Sequence, residues 1–302
     1  MEEILVKAAG LLLAIVLGYV LKRRGVFRTE DSRVLSRIII NLTLPGALIS
    51  SFASFRISGS LLLLPLIAAA ANVALLAAGA RLSRGRDKAA RALYLLNMPS
   101  YNIGTFVLPF VQSFLPAEGL VAVSMFDAGN CPMNSGGAYA VTLSLLEGKR
   151  LRPSFVLKKM AASVPFMTFL VMLCVSLLRI PLPGEVYTVA GMFGQANAFL
   201  AMLMIGVMFE PKMDRADSAD VLRIVAVRYG FGAAAAAASY YLLPLSLAAR
   251  QVAVLSLLAP IPSVTLAYCE KCGCKGAVVS AVHSLCIPIS LVCLLGLMLL
   301  WS

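Results

Sequence analysis

Charge is scarce in this chain: Asp, Glu, Lys and Arg make up 13% of its 302 residues, while 60% are hydrophobic. A soluble domain carries roughly a quarter charged residues, so the balance excludes an ordinary water-soluble fold. Histidine and tryptophan occur once each, at His283 and Trp301. With one histidine there is no H-E-x-x-H zinc site, and no G-x-x-x-x-G-K-[ST] loop is present to cradle a nucleotide. Metalloprotease and ATP-driven pump readings are therefore disfavoured. An intramembrane aspartic protease is also poorly supported, because Asp127 has no second carboxylate in an apolar run to pair with.

Seven cysteines are an odd number, and four of them lie inside apolar runs, which argues against a disulfide framework. Cys269, Cys272 and Cys274 form C-x-x-C-x-C, but a closed structural zinc site needs four ligands and no second Cys/His pair exists. No metal and no organic cofactor is expected. The net charge of +12 does not point to nucleic acid, because the basic residues sit in short clusters between apolar runs.

What is abundant is apolar sequence. Runs of about 20 residues recur along the chain, long enough to cross a bilayer as helices. The first begins directly after Met1, Glu2 and Glu3, without a basic n-region, and reads as a retained helix rather than a signal peptide. The runs predict an all-α polytopic membrane protein of ten helices. In the first half these lie at roughly 3 to 21, 34 to 54, 60 to 80, 91 to 114 and 118 to 146. In the second half they lie at roughly 156 to 178, 184 to 208, 219 to 245, 248 to 270 and 276 to 301.

The connections alternate in charge. Lys22, Arg23, Arg24, Arg28 and Arg33 follow the first run; Arg81, Arg84, Arg86, Lys88 and Arg91 the third; Lys149, Arg150 and Arg152 the fifth. Lys212 and Arg215 follow the seventh, and Lys271 and Lys275 the ninth, whereas the even connections carry only Arg56, Arg179 and Arg250. The positive-inside rule then puts both termini outside; the membrane expected is the cell membrane, a bacterial inner membrane. Five helices per half makes residues 1–150 and 151–302 two units of opposite topology, an inverted repeat.

The fourth and ninth runs are interrupted at matching places, by MPSYNIG (Met98 to Gly104) and by APIPS (Ala259 to Ser263). Interrupted segments at corresponding positions of two halves point to a transporter binding site. Pro99, Gly104, Pro260 and Pro262 make the breaks; Asn102, Ser263 and Thr265 are the polar groups beside them. In the fifth run Asp127, Asn130 and Asn134 are spaced three and four apart, on one helical face. Asn102, Asn130, Asn134, Pro262, Ser263 and Thr265, with Asn41 before Pro45 in the second run, are the candidate substrate-binding set. Gln195 and Asn197 lie in the corresponding seventh run.

A carboxylate at membrane depth is a functional candidate by default. Asp127 reads as a Na+ or H+ coupling group, as an acceptor that anchors the broken fourth helix, or as a hydrated residue near the outer mouth. His283, five residues before Pro288, is either a hydrogen-bond partner between helices or a proton-coupling group. Arg37 and Arg228 are expected to snorkel to the cytoplasmic interface. The small-residue run Gly230 to Ser239 predicts close helix packing.

NIGTFVLP (Asn102 to Pro109) resembles the Asn, Gly and Pro motif of the auxin efflux carrier family. GYVLKRRGV, NLTLP, AMLMIGVMFE and APIPS followed by AYCEKCG are similar as well, and together they span most of the chain. The resemblance implies a scaffold domain from helices one, two, six and seven and a transport domain from the other six. It implies that helices four and nine cross at their breaks, with Asn102 and Pro262 at the crossover. It further implies elevator-like exchange, a scaffold-mediated homodimer and a small organic anion as substrate, such as malonate or malate. Val107 stands where the family pattern carries a further glycine. The competing expectations are a sodium-coupled carrier of the bile-acid type and a membrane sensor that binds solute without moving it.

Overall fold

The computed structural model describes residues 2–53, 59–209 and 218–301. Arg56, Lys212 and Arg215, three of the charges used to orient the chain, lie outside the described residues. Among the described residues the fold is all helix, with no strand.

The first half begins with α1 (Glu2–Arg23) and continues through α2 (Ser32–Ile38) and α3 (Leu44–Ser51), joined by a π-turn at Ile39–Thr43. After α4 (Leu63–Leu82) come α5 (Lys88–Asn97) and α6 (Leu108–Phe114), then α7 (Ala117–Pro132) and α8 (Ala138–Glu147). The second half contains α9 (Pro153–Ala161), α10 (Val164–Leu177), α11 (Gly184–Met208), α12 (Ser218–Leu242), α13 (Leu247–Leu257), α14 (Val264–Lys271) and α15 (Gly276–Leu300). Short polar side chains start two of the half-helices. The Asp87 carboxylate accepts from the Ala90 N–H at the start of α5, and the Ser246 hydroxyl from the Ala249 N–H at the start of α13.

Six helical segments among the described residues are long and apolar enough to cross a membrane, and α9 and α10, bent by 77°, would make a seventh if they count as one. The chain is an integral membrane protein by that measure. The ranges expected as the fourth and ninth spans are each divided into two short helices, so length alone does not single them out.

Three π-turns were not anticipated from the sequence: Ile39–Thr43, Ile103–Val107 and Met133–Gly137. Two of them directly precede a helix with proline in its first turn, Pro45 in α3 and Pro109 in α6. A proline ring pushes away the carbonyl four residues back and offers no N–H to replace the bond, so the preceding turn widens. In the third turn Gly136 adopts φ 116°, a conformation open mainly to glycine.

Two sets of helices pack mainly among themselves. α1 and α3 pack on α11, with α10 on α3, while α4 packs on α7, α7 on α13, and α13 on α12. Backbone approaches are closest where glycine removes the side chain. A Cβ on Gly206 of α11 would lie 2.0 Å from the Ile15 carbonyl oxygen of α1, and one on Gly129 of α7 would lie 2.0 Å from that of Pro65 in α4. Any larger residue at either position would force those helices apart. The small-residue run of α12 uses one face only: Gly232, Ala236 and Ser239 are buried, and Gly232 lies against the Leu257 carbonyl at the end of α13.

Candidate functional site

The helix of α5 stops at Asn97 and resumes at Ile103; that of α13 stops at Leu257 and α14 starts at Val264. The two gaps touch, since the Asn102 N–H donates to the Pro260 carbonyl oxygen at 2.9 Å. Unwound backbone away from water must find partners for its polar groups or lose several kcal/mol for each. The partners can be followed group by group.

In the first gap the Ser100 N–H donates to Asn72 Oδ1 at 2.5 Å, and the Tyr101 N–H to Asn130 Oδ1 at 3.0 Å. Asn130 Nδ2 donates back to the Tyr101 carbonyl at 2.8 Å. Ser100 itself takes φ 71°, a left-handed conformation costly for a residue with a Cβ. In the second gap Pro260 and Pro262 have no N–H to satisfy. Leu258 O accepts from Ser290 Oγ at 2.7 Å, and Pro262 O from the Thr265 N–H at 3.0 Å.

Arg228 of α12 serves both gaps. Its Nη1 donates to Met98 O at 2.5 Å, and its Nη2 to Ser100 O at 2.6 Å and Ala259 O at 3.1 Å. Its guanidinium lies 4.7 Å from the centroid of the Tyr101 ring, over the ring face. With 1% of its surface exposed, Arg228 does not snorkel to an interface as expected. Peptide carbonyls hold it inside instead, each a stronger partner for a charged donor than for a neutral one. A cation inside an apolar run is itself the signal that could have identified it.

The predicted polar residues divide accordingly. Asn130 is fully buried, and its amide is saturated: Oδ1 accepts from Tyr101 N–H and Asn72 Nδ2, while Nδ2 donates to Tyr101 O and Asp127 Oδ1. Two donors and two lone pairs are all an amide has, so Asn130 holds backbone and is left nothing with which to bind a substrate. Asn41 is exposed, and its amide donates to the Arg37 carbonyl one turn back, away from the gaps. Asn102 remains at the junction, half-buried, with Oδ1 accepting from Thr105 Oγ1 at 2.6 Å. Pro99, Pro260, Pro262 and Thr265 are buried, Gly104 is half-buried and Ser263 exposed. Asn134 sits in the π-turn at Met133–Gly137, where its Oδ1 is buried without a protein partner among the described residues. His283 is buried in α15, its Nε2 likewise without a partner there, and it does not join the asparagines.

Asp127 is half-buried, fixed by Asn130 Nδ2 at 3.0 Å, and faces a crevice of about 20 Å³. That crevice lies where the two helix sets meet: Leu44 and Leu48 of α3 and Phe166 and Phe169 of α10 face Gly104, Leu108 and Asp127. It has room for about one water. A cavity of 720 Å³ opens elsewhere, lined by Tyr139, Lys149, Arg150, Arg152 and Phe155. The Phe155 ring at its edge also abuts Gly136 of the third π-turn. Among the described residues no three His, Cys, Asp or Glu side chains converge to hold a metal ion.

A second polar network was missed except for one member. Thr43 Oγ1 donates to Asn197 Oδ1, Asn197 Nδ2 to Gln112 Oε1, and Gln112 Nε2 to the Gly194 carbonyl. It joins α11 to the π-turn at Ile39–Thr43 and to α6, whereas Gln195 is exposed.

Residues 3–148 match the model of the family described as membrane transport protein. An uncharacterized transporter of Methanothermobacter thermautotrophicus is 28% identical over 264 residues, covering 85% of this chain and 84% of its own. The resemblance read from the motifs is borne out by these matches.

Proposed function

We propose, from the likeness of residues 3–148 to membrane transport proteins, that this chain is a secondary carrier of a small organic anion, a carboxylate such as malonate or malate. The observation that carries this reading is the meeting of two helix gaps, joined from Asn102 N–H to Pro260 O and backed by the buried guanidinium of Arg228. Helix N-termini favour anions, and the chain resumes helix beyond each gap at Ile103 and Val264. Asn102, Ser263 and Thr265 are the polar side chains available there. Asp127, at the edge of the same region, is the coupling group.

Ten spans in two inverted halves, residues 1–150 and 151–302, accommodate the helix order when α2 with α3, α5 with α6, α7 with α8, α9 with α10 and α13 with α14 each count as one span. The packing of α1 and α3 on α11, with α10 on α3, supports a scaffold, and that of α4, α7, α12 and α13 a separate transport unit. In the conformation described, the crevice between them is smaller than a dicarboxylate, so loading requires the two units to move apart in an elevator-like step. Two scaffolds joined as a homodimer would give the moving units a fixed frame in a bacterial inner membrane, with both termini outside.

Flux of radiolabelled malonate or malate into proteoliposomes tests the carrier. Uptake is expected for the intact chain, and Asp127→Asn is expected to abolish its dependence on a driving ion gradient. A ligand that binds only the folded protein also raises its melting temperature. Saturable binding with no flux would overturn the carrier reading in favour of a sensor.

A further inference from the structure

The five carbonyl oxygens around Arg228 come from the C-terminal sides of two half-helices. Met98 O, Pro99 O and Ser100 O follow α5, at 2.5, 3.5 and 2.6 Å from the guanidinium nitrogens. Ala259 O and Pro260 O follow α13, at 3.1 and 3.4 Å. Unwound carbonyls at the C-terminal ends of broken helices are the donor set with which carriers hold a sodium ion. Hard cations are held by such oxygens.

Here the oxygens already surround a cation belonging to the chain. Each helix C-terminus carries a charge of about −0.5, so two of them amount to about −1, opposite to one guanidinium. The charge match is close without any acid. Among the described residues, no hydrogen bond or ion pair joins Arg228 to a carboxylate. The Tyr101 ring closes the remaining side.

We infer that the Arg228 guanidinium fills the carbonyl cage formed by the paired gaps, serving as a tethered cation in the place of a coupling sodium. Two consequences follow. The carrier runs without sodium, and the proton is left as the ion that Asp127 can exchange. The tethered charge also stays on the negative ends of the half-helices throughout the cycle, leaving the opposite ends for the anionic substrate. Arg228 is thus a positioning residue for both gaps. The inference rests on the carrier reading only for what is coupled, because whether the cage is filled can be measured without transport.

The test is the melting temperature of the purified full-length chain in sodium chloride against choline chloride at equal ionic strength. The intact protein is expected to melt identically in both. Arg228→Ala is expected to melt lower and to recover most of the loss when sodium or ethylguanidinium is present from solubilisation onward, while choline gives no recovery. Arg228→Lys, which keeps the charge but reaches fewer carbonyls, should fall between the two. Saturable stabilisation of the intact protein by sodium overturns the inference, and this arm stands even if Arg228→Ala does not fold. Equal loss in Arg228→Lys and Arg228→Ala, with no recovery by either cation, overturns it as well. If malonate flux is absent but the melting pattern holds, the carrier reading fails and the filled cage remains.

Discussion

The two helix gaps are built differently. The gap after α13 is written into its own sequence, where Pro260 and Pro262 remove two donors and so reduce the number of backbone groups needing partners. The gap after α5 loses one donor at Pro99 and borrows partners for the two N–H groups that follow: Asn72 from α4 for Ser100, and Asn130 from α7 for Tyr101. Both gaps take partners for their carbonyls from distant helices, but only the first takes side-chain acceptors from other helices for its N–H groups. The difference teaches that two gaps that meet need not share residues, only that every unwound backbone group be satisfied.

The largest effect is expected from removing the borrowed partners. Asn130→Leu leaves the Tyr101 N–H unpaired in the interior and takes from its C=O one of two donors, the Ile103 N–H remaining, which should cost about 2–4 kcal/mol and lower the melting temperature of detergent-purified protein sharply. Retention of the native melting temperature would mean that the first gap does not depend on borrowed acceptors for its N–H groups. Asn72→Ala removes the acceptor for Ser100 N–H and one of the two donors to Asn130 Oδ1, and should cost about 1–3 kcal/mol, read in the same assay.

The second gap should respond in the opposite way. Pro262→Ala permits helix where the proline forbade it, so stability is expected to hold within about 1 kcal/mol or to rise, while flux in proteoliposomes falls. Intact flux with raised stability would reduce the prolines to simple kinks. The smallest effect belongs to Ser100→Gly, which relieves a left-handed φ but adds backbone freedom to the unfolded chain. Those terms nearly cancel, leaving a gain of about 0.5 kcal/mol, measurable as a slight rise in melting temperature.

Much of the site was legible in the primary structure and some of it was misread. The positions of both gaps follow from Pro99, Gly104, Pro260 and Pro262, because proline and glycine act on their own turn. The face formed by Asp127 and Asn130 follows from helical spacing. What each amide on that face does was not legible. Asn130 looked like a substrate ligand because nothing in its own helix competes for it; the competitor is the Tyr101 backbone, 29 residues away in the chain. Asn41 misled in a similar way, for its helix turns it outward to bond its own Arg37 carbonyl. The bend of 77° between α9 and α10 also went unread, although Ser163 and Pro165 bracket the start of α10.

Arg228 shows the same limit for charge. A long cationic side chain in an apolar helix can reach water or find acceptors inside, and the sequence of α12 is equally compatible with both. By itself the sequence determined that the chain is a helical membrane protein with few soluble parts, and that two of its apolar runs are broken. It did so because hydrophobic length and proline chemistry act within about one turn or one span. Only the tertiary structure decided that the two gaps touch, that asparagines from α4 and α7 hold one of them, and that a buried guanidinium serves both. Hydrogen bonds between distant segments depend on which helix faces which, and that is settled by close approaches such as Gly129 on Pro65, not by any local pattern.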